Sequence, residues 1–186
     1  MTRITIAPAA AWDLPEIVAL AGARRLGASA PRSATSDGFL VSNFTVEDYR
    51  SFQQQALHLL VARIDSQLAA FLLAFGGEDS APHSPVDRWL AEHFECPFLI
   101  VKQVCVDQQF TRQRIASKLY EHVFQANPRR RLFAAIVLDP PNPSSVKFHE
   151  RLGFVKLCEI DADDGLRRGV WSREAFAAES VEESVE

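Results

Sequence analysis

Residues 98–120, Phe-Leu-Ile-Val-Lys-Gln-Val-Cys-Val-Asp-Gln-Gln-Phe-Thr-Arg-Gln-Arg-Ile-Ala-Ser-Lys-Leu-Tyr, constrain the fold more than any other stretch. The run opens with Phe98, Leu99, Ile100, Val101, Val104 and Val106, short and rich in β-branched residues, which predicts a buried strand. Asp107 to Arg114 are polar, and apolar residues then return at helical spacing: Ile115 with Leu119, and Ala116 with Tyr120 and Phe124. The stretch therefore predicts strand, tight polar loop, helix. A loop feeding a helix start offers free backbone N–H groups and the positive end of the helix dipole, a place suited to a phosphate.

The rest of the chain supplies layers around this unit. Arg3 to Ala7 predicts a first strand. Asp13 with Glu16 and Pro15 predicts a capped helix start, and Thr45 with Asp48 predicts another, running to about Gln55. His58 to Ile64 and Leu68 to Phe75 are apolar strands joined at Asp65-Ser66, a hairpin signal. Gly27 to Asp37 and Gly76 to Pro85 read as loops, and Ser84 caps a short helix from Pro85. Pro128 closes the helix after 115, and Leu132 to Leu138 is a further strand. Asn142 caps a helix from Pro143 to Gly153; Phe154 to Ile160 and Arg168 to Arg173 close the chain around Asp163-Asp164-Gly165. The order β-α-α-β-β-α-β-α-β-α-β-β predicts a mixed α/β layer protein with helices on both sides of a central sheet.

Two stretches together resemble the GNAT superfamily of acetyl-CoA-dependent N-acetyltransferases. Asn142-Pro-Ser-Ser-Val-Lys-Phe-His-Glu-Arg-Leu-Gly-Phe154 is similar to the family's Asn-x-x-Ser-x-x-Phe-Tyr-x-x-x-Gly-Phe pattern, with His149 at the Tyr position. Val106, Phe110 and Ala116 match the Val-x-Pro-x-Tyr-Gln/Arg-x-x-Gly-x-Gly/Ala pattern, but Thr111 replaces Gln/Arg and Arg114 stands where Gly is usual. Leu72-Leu-Ala-Phe-Gly-Gly77 and Asp139-Pro-Pro-Asn-Pro143 look like a bacterial subgroup of that family. The resemblance implies an acyl-CoA N-acyltransferase fold over residues 1–173, its mostly antiparallel sheet splayed between the fourth and fifth strands, followed by an acidic tail at 174–186.

The resemblance also implies a cosubstrate and its site. Acetyl-CoA would lay its pyrophosphate on Thr111, Arg112, Gln113, Arg114, Ile115 and Ala116, with Ser117 and Lys118 opening the helix behind them. Its pantetheine arm would pair with Val104, Cys105 and Val106; Asn142 and Ser145 would meet its amide, and His149 would sit near the sulfur. His149 as proton donor to the leaving thiolate stands beside His149 as a packing residue. For the base the candidates are Asp139, Asp107, His58, His83 or a water chain. At Arg114, the side chain either binds a CoA phosphate or fills the groove; retained binding is expected, with Arg112, Arg114, Lys118 and Arg129 to Arg131 as a basic rim. Phe39, Leu40 and Phe44 lie where the family forms its acceptor pocket, with Phe75, Trp89 and Phe94 as candidates for the opposite wall; ordinary packing under a long loop is the expectation set against this.

Composition bounds the remaining classes. The chain is 47% hydrophobic and 24% charged, ordinary for a globular protein. Its net charge is −4, but the five acids of 174–186 account for that, and without them the charge is about +1. An anionic ligand therefore meets no general repulsion. No apolar run approaches the roughly 20 residues that span a bilayer, and no signal-peptide pattern opens the chain, so a cytoplasmic protein without membrane contact is expected. Three cysteines at wide spacing (Cys96, Cys105, Cys158) give neither a metal pattern nor a disulfide framework. The Arg129–Arg131 run lacks a reader helix or stacking set, so no nucleic-acid partner is expected. The acetyl transfer is expected to be direct, onto a primary amine of a small molecule or peptide, with no metal; homodimer formation is left open. The alternative from another class is a GNAT-fold protein that binds acyl-CoA without catalysis, motivated by Thr111 and Arg114.

Overall fold

The computed structural model describes residues 3–27, 38–78 and 84–175. In chain order the elements are β1 (Ile4–Pro8), α1 (Leu14–Ala23), α2 (Val46–Gln55), β2 (His58–Ile64), β3 (Gln67–Gly76), α3 (Pro85–His93), β4 (Phe98–Val106), α4 (Ile115–Ala126), β5 (Arg131–Val137), α5 (Pro143–Arg151), β6 (Val155–Asp161) and β7 (Arg167–Arg173). This is the order expected from the sequence. His83, most of the expected loop at 27–37 and most of the tail lie outside the described residues.

The seven strands form one sheet in the order β1-β2-β3-β4-β5-β7-β6. All neighbours run antiparallel except β4 and β5, which are parallel. Strands β2 to β5 are buried on both faces, which is why they read as nearly continuous apolar runs. On one face Leu60, Leu72, Leu99, Val101 and Ile136 pack against Ile115, Leu119, Tyr120 and Val123 of α4. On the other, Val61, Leu73, Ile100 and Phe133 pack against Leu14 and Ile17 of α1, Tyr49 of α2 and Leu90 of α3.

Local chemistry sets the joints. Thr45 and Ser84 each close a reciprocal capping box, with Asp48 and Asp87 respectively. Asp65 and Ser66 both take positive φ (46° and 71°), the backbone that a tight two-residue hairpin needs. Asp13 departs from the expectation of a box with Glu16. A short 3-10 turn at Ala11–Asp13 precedes α1, so Asp13 already lies inside the helical stretch. Its Oδ2 accepts from the Ala10 N–H at 2.7 Å, and both Asp13 and Glu16 instead take the Arg63 guanidinium of β2. That ion pair ties the first helix to the sheet.

Candidate active site

The sheet opens in its middle. β4 and β5 pair only from Phe98↔Arg131 to Val101↔Ala134. One residue further on, β4 carries a bulge: Val101 faces Ala74 and Gln103 faces Leu73, leaving Lys102 as the extra residue. A bulge bends its strand, and β4 parts from β5, which continues along β7 to Val137. Past Val101 the edge of β4 that faces β5 therefore has no strand to bond. Unpaired backbone groups inside a protein call for a partner, and a ligand amide lying along the edge would supply one.

On one side of the opening lies a groove of about 1290 Å³, lined by Val104, Cys105, Val106, Thr111, Arg112, Arg114, Ile115, Ala116, Ser117, Asn142 and Ser145 among others. Its end is the loop between β4 and α4. Asp107 accepts from the Gln109 N–H at 2.9 Å, and Thr111 Oγ1 donates to the Gln108 carbonyl at 3.0 Å, so a 3-10 turn fixes the approach. Arg112 and Arg114 then take left-handed backbone, φ 64° and 60°. Arg114 sits at the N-cap position of α4 and supplies no side-chain cap, and the first turn of α4 holds no acid. The first N–H groups of α4 thus have no side-chain cap from Arg114, and two arginines lie beside them, an arrangement suited to an anion.

Of the residues expected here, Gln113 and Lys118 do not line the groove, and His149 lies beyond the opening. The suggested Arg129–Arg131 contribution to the basic rim does not hold. Arg130 pairs with Glu78, and Arg131 pairs with Glu174 and stacks on Phe94, at the opposite, closed end of the β4–β5 pair. Arg24 and Arg151, which the sequence did not single out, line the groove instead. Asn142 caps α5 by accepting from Ser145 N at 3.4 Å, and its Nδ2 donates to the Phe39 carbonyl at 3.4 Å, so it pins the segment around Gly38 against the groove.

Through the opening lies a second cavity, about 550 Å³. It shares Phe39, Leu40, Val104, Asn142 and Ser145 with the groove, so the two meet at the splay. Phe44, Phe52, Leu73, Phe75 and Ile100 form an apolar wall, and Phe39 and Leu40 also line the cavity. Trp89 and Phe94 are not part of it; Phe94 packs on Phe133. Polar residues the sequence reading missed also line it: Asp87, Lys102 and Gln103. The available signal was that Lys102 and Gln103 are the two polar residues interrupting the apolar run of β4. The candidate bases Asp107, Asp139 and His58 line neither cavity, and His58 Nε2 is bonded to Asn127 on another part of the surface.

His149 is buried (3% exposed) and lines this second cavity with Tyr120. Its Nδ1 lies 2.8 Å from the Ser145 carbonyl, which can only accept, so Nδ1 carries the proton. Nε2 then accepts from the Tyr120 hydroxyl at 2.7 Å. Burial pushes the imidazole pKa down to about 4, with the Ser145 carbonyl opposing, so the ring is neutral at pH 7. Burial likewise holds the Tyr120 phenol well above its ordinary range. Cys105, also buried, has its thiol pushed up to about 12 by burial, so it is a protonated, unreactive wall residue.

A sheet opened at one parallel pair, with an anion-ready helix start on one side and an apolar cavity on the other, is the acyl-CoA N-acyltransferase type of α/β fold. The chain belongs to the acetyltransferase (GNAT) family, whose pattern it matches over residues 16–154. Among solved structures, it is similar to Ard1 from Thermoplasma volcanium (13% identity, 93% of this chain and 98% of that one, TM-score 0.68). It is also similar to the ribosomal-protein-S18-alanine N-acetyltransferase from Escherichia coli (16% identity, 96% and 99%, TM-score 0.63). A third is yncA from Salmonella typhimurium with its cofactor acetyl-CoA (16% identity, 95% and 96%, TM-score 0.63). At these identities the likeness shows the fold alone. Among curated proteins no sequence match is found. Among the described residues no helix is long and apolar enough to cross a membrane.

Proposed function

We propose that the chain transfers an acetyl group from acetyl-CoA directly to a primary amine. The observation that carries this reading is the meeting of the two cavities at the splay, where Val104, Asn142 and Ser145 belong to both. The groove side suits an elongated, phosphate-bearing thioester; the far side suits an organic amine.

The residues present fit acetyl-CoA. The uncapped start of α4, with Arg112 and Arg114, would hold its phosphates. The open edge of β4 at Val104 to Val106 would bond its amide arm and place a backbone N–H where the thioester oxygen gains charge. Bound there, the cosubstrate supplies the activated acetyl group. His149 and Tyr120 act as one proton-holding pair. With Nδ1–H held by the Ser145 carbonyl, Nε2 of the histidine can only accept, and it orients the Tyr120 hydroxyl; that hydroxyl gives its proton to the leaving thiolate and recovers one from the nitrogen of the attacking amine as the amide forms. Cys105 takes no part, which fits direct transfer.

A second reading, acyl-CoA binding without turnover, is favoured by one observation: both nitrogens of His149 are already bonded within the protein. Thiol release on mixing the chain, acetyl-CoA and a panel of primary amines decides between them. Amine-dependent release of CoA is expected. Binding of acetyl-CoA with no release for any amine, small amide or peptide would replace transfer with the binding role.

A further inference from the structure

Gln103 is buried (3% exposed), and its side-chain Nε2 has no hydrogen-bond partner. Its Oε1 accepts from the Tyr49 hydroxyl at 2.6 Å, so the amide group is held in place and its donor end is left free. A buried donor without a partner is rare in a folded protein and costly. Gln103 lines the second cavity, one residue from Val104 at the splay, about 3.3 Å along an extended strand. The wall around it is apolar: Phe44, Phe52, Leu73 and Phe75.

We infer that the acceptor is an amine carrying an apolar side chain and a neutral carbonyl oxygen three bonds from the nitrogen, and that Gln103 reads the carbonyl. This is the chemistry of an α-amino amide, found in a free amino-acid amide or at the amino end of a peptide. The inference rests on the acetyl-transfer reading for the direction of the amine. Charge separates the amide from the free acid. The two cations lining the cavity are both committed, Lys102 to Asp87 and Arg168 to Asp164, so among the described residues no cation there awaits a carboxylate.

Calorimetric titration tests this without depending on turnover. Phenylalaninamide, the tripeptide amide Phe-Gly-Gly-NH2, phenylalanine and phenethylamine are each titrated into the full chain. The amide is expected to bind about tenfold more tightly than phenethylamine, which lacks the carbonyl, and than phenylalanine, which carries a carboxylate; tenfold is the scale of one satisfied buried hydrogen bond. Gln103→Leu is expected to erase the advantage of the amide over phenethylamine. Tyr49→Phe, a milder change that leaves Gln103 present but unanchored, is expected to reduce it several-fold and leave phenethylamine binding alone. Tighter binding of the tripeptide identifies a peptide terminus as the source, and equal binding identifies the small amide. Equal binding of amide, acid and amine, tightest binding of the acid, no binding of any of them, or an amide preference that survives in both variants overturns the inference. A chain that binds the amide yet never releases CoA refutes the transfer reading and leaves this one standing. A chain that acetylates phenethylamine as readily as the amide does the reverse.

Discussion

Replacing Arg114 with Gly should separate the two things this residue does. Its backbone is left-handed (φ 60°, ψ 21°), a conformation that costs a residue with a Cβ about 1–2 kcal/mol. Glycine removes that cost but loses more backbone freedom on folding, about 0.5–1 kcal/mol. The net expected gain is about 0.5–1 kcal/mol, or roughly 2 °C in Tm for a chain of this size. The side chain is exposed and lines the groove, where on the acetyl-CoA reading it would add a charge-assisted contact to a phosphate. Its loss should weaken acetyl-CoA binding about three- to tenfold, with a shallower dependence on salt. Arg114→Ala is the control: it loses the same charge and keeps the strain, so it should match Gly in affinity and not gain stability. Calorimetry and thermal unfolding on the three proteins read both effects. Tighter binding by Arg114→Gly would mean that the side chain obstructs the groove. A glycine variant no more stable than the alanine one would refute the argument from strain.

Three further outcomes follow from the site. His149→Phe should slow CoA release at least tenfold and leave acetyl-CoA affinity nearly unchanged, because His149 lines the far cavity and not the groove; an affinity change with unchanged turnover would count against the proton-holding pair. In the folded chain His149 titrates near 4 and in the unfolded chain near 6.5, so the unfolded state binds the extra proton first. Stability should therefore be fully present above about pH 6.5 and fall as pH drops toward 4, by about 3 kcal/mol from this group, and denaturant melts of His149→Phe should show a correspondingly flatter slope over that window. Cys105→Ala should keep turnover within about threefold, and thiol reagents at pH 8 should label exposed Cys96 but not Cys105; loss of activity on the alanine change would revive a covalent intermediate.

What could be read from the sequence was local. The strand–loop–helix of 98–120, the capping boxes at Thr45 and Ser84, the Asp65-Ser66 hairpin and the Asn142 cap each depend on residues within a few positions of one another, and each formed as read. Val104 to Val106, Thr111, Arg112 and Arg114 to Ser117, which line the groove, all lie in or beside that same stretch. What the sequence could not give was contact across distance. Tyr49 meets Gln103 from 54 positions away, and Tyr120 meets His149 from 29. Asp13 was misread because its partner, Arg63, belongs to another element. Arg129 to Arg131 looked like part of the rim because clustering in sequence says nothing about which end of the sheet a residue occupies. The bulge at Lys102 appears only once β3 is laid beside β4, and Lys102 and Gln103, the bulged residue and its neighbour, both line the second cavity.

The central claim is that the opened edge of β4 and the uncapped start of α4 form a seat for acetyl-CoA. Calorimetric titration of acetyl-CoA into the purified chain, with CoA as the control, tests it most directly. The account predicts one-to-one binding in the micromolar range that weakens as salt is raised. No heat of binding at millimolar ligand would contradict it, and would mean that Arg114 closes the groove it is argued to complete.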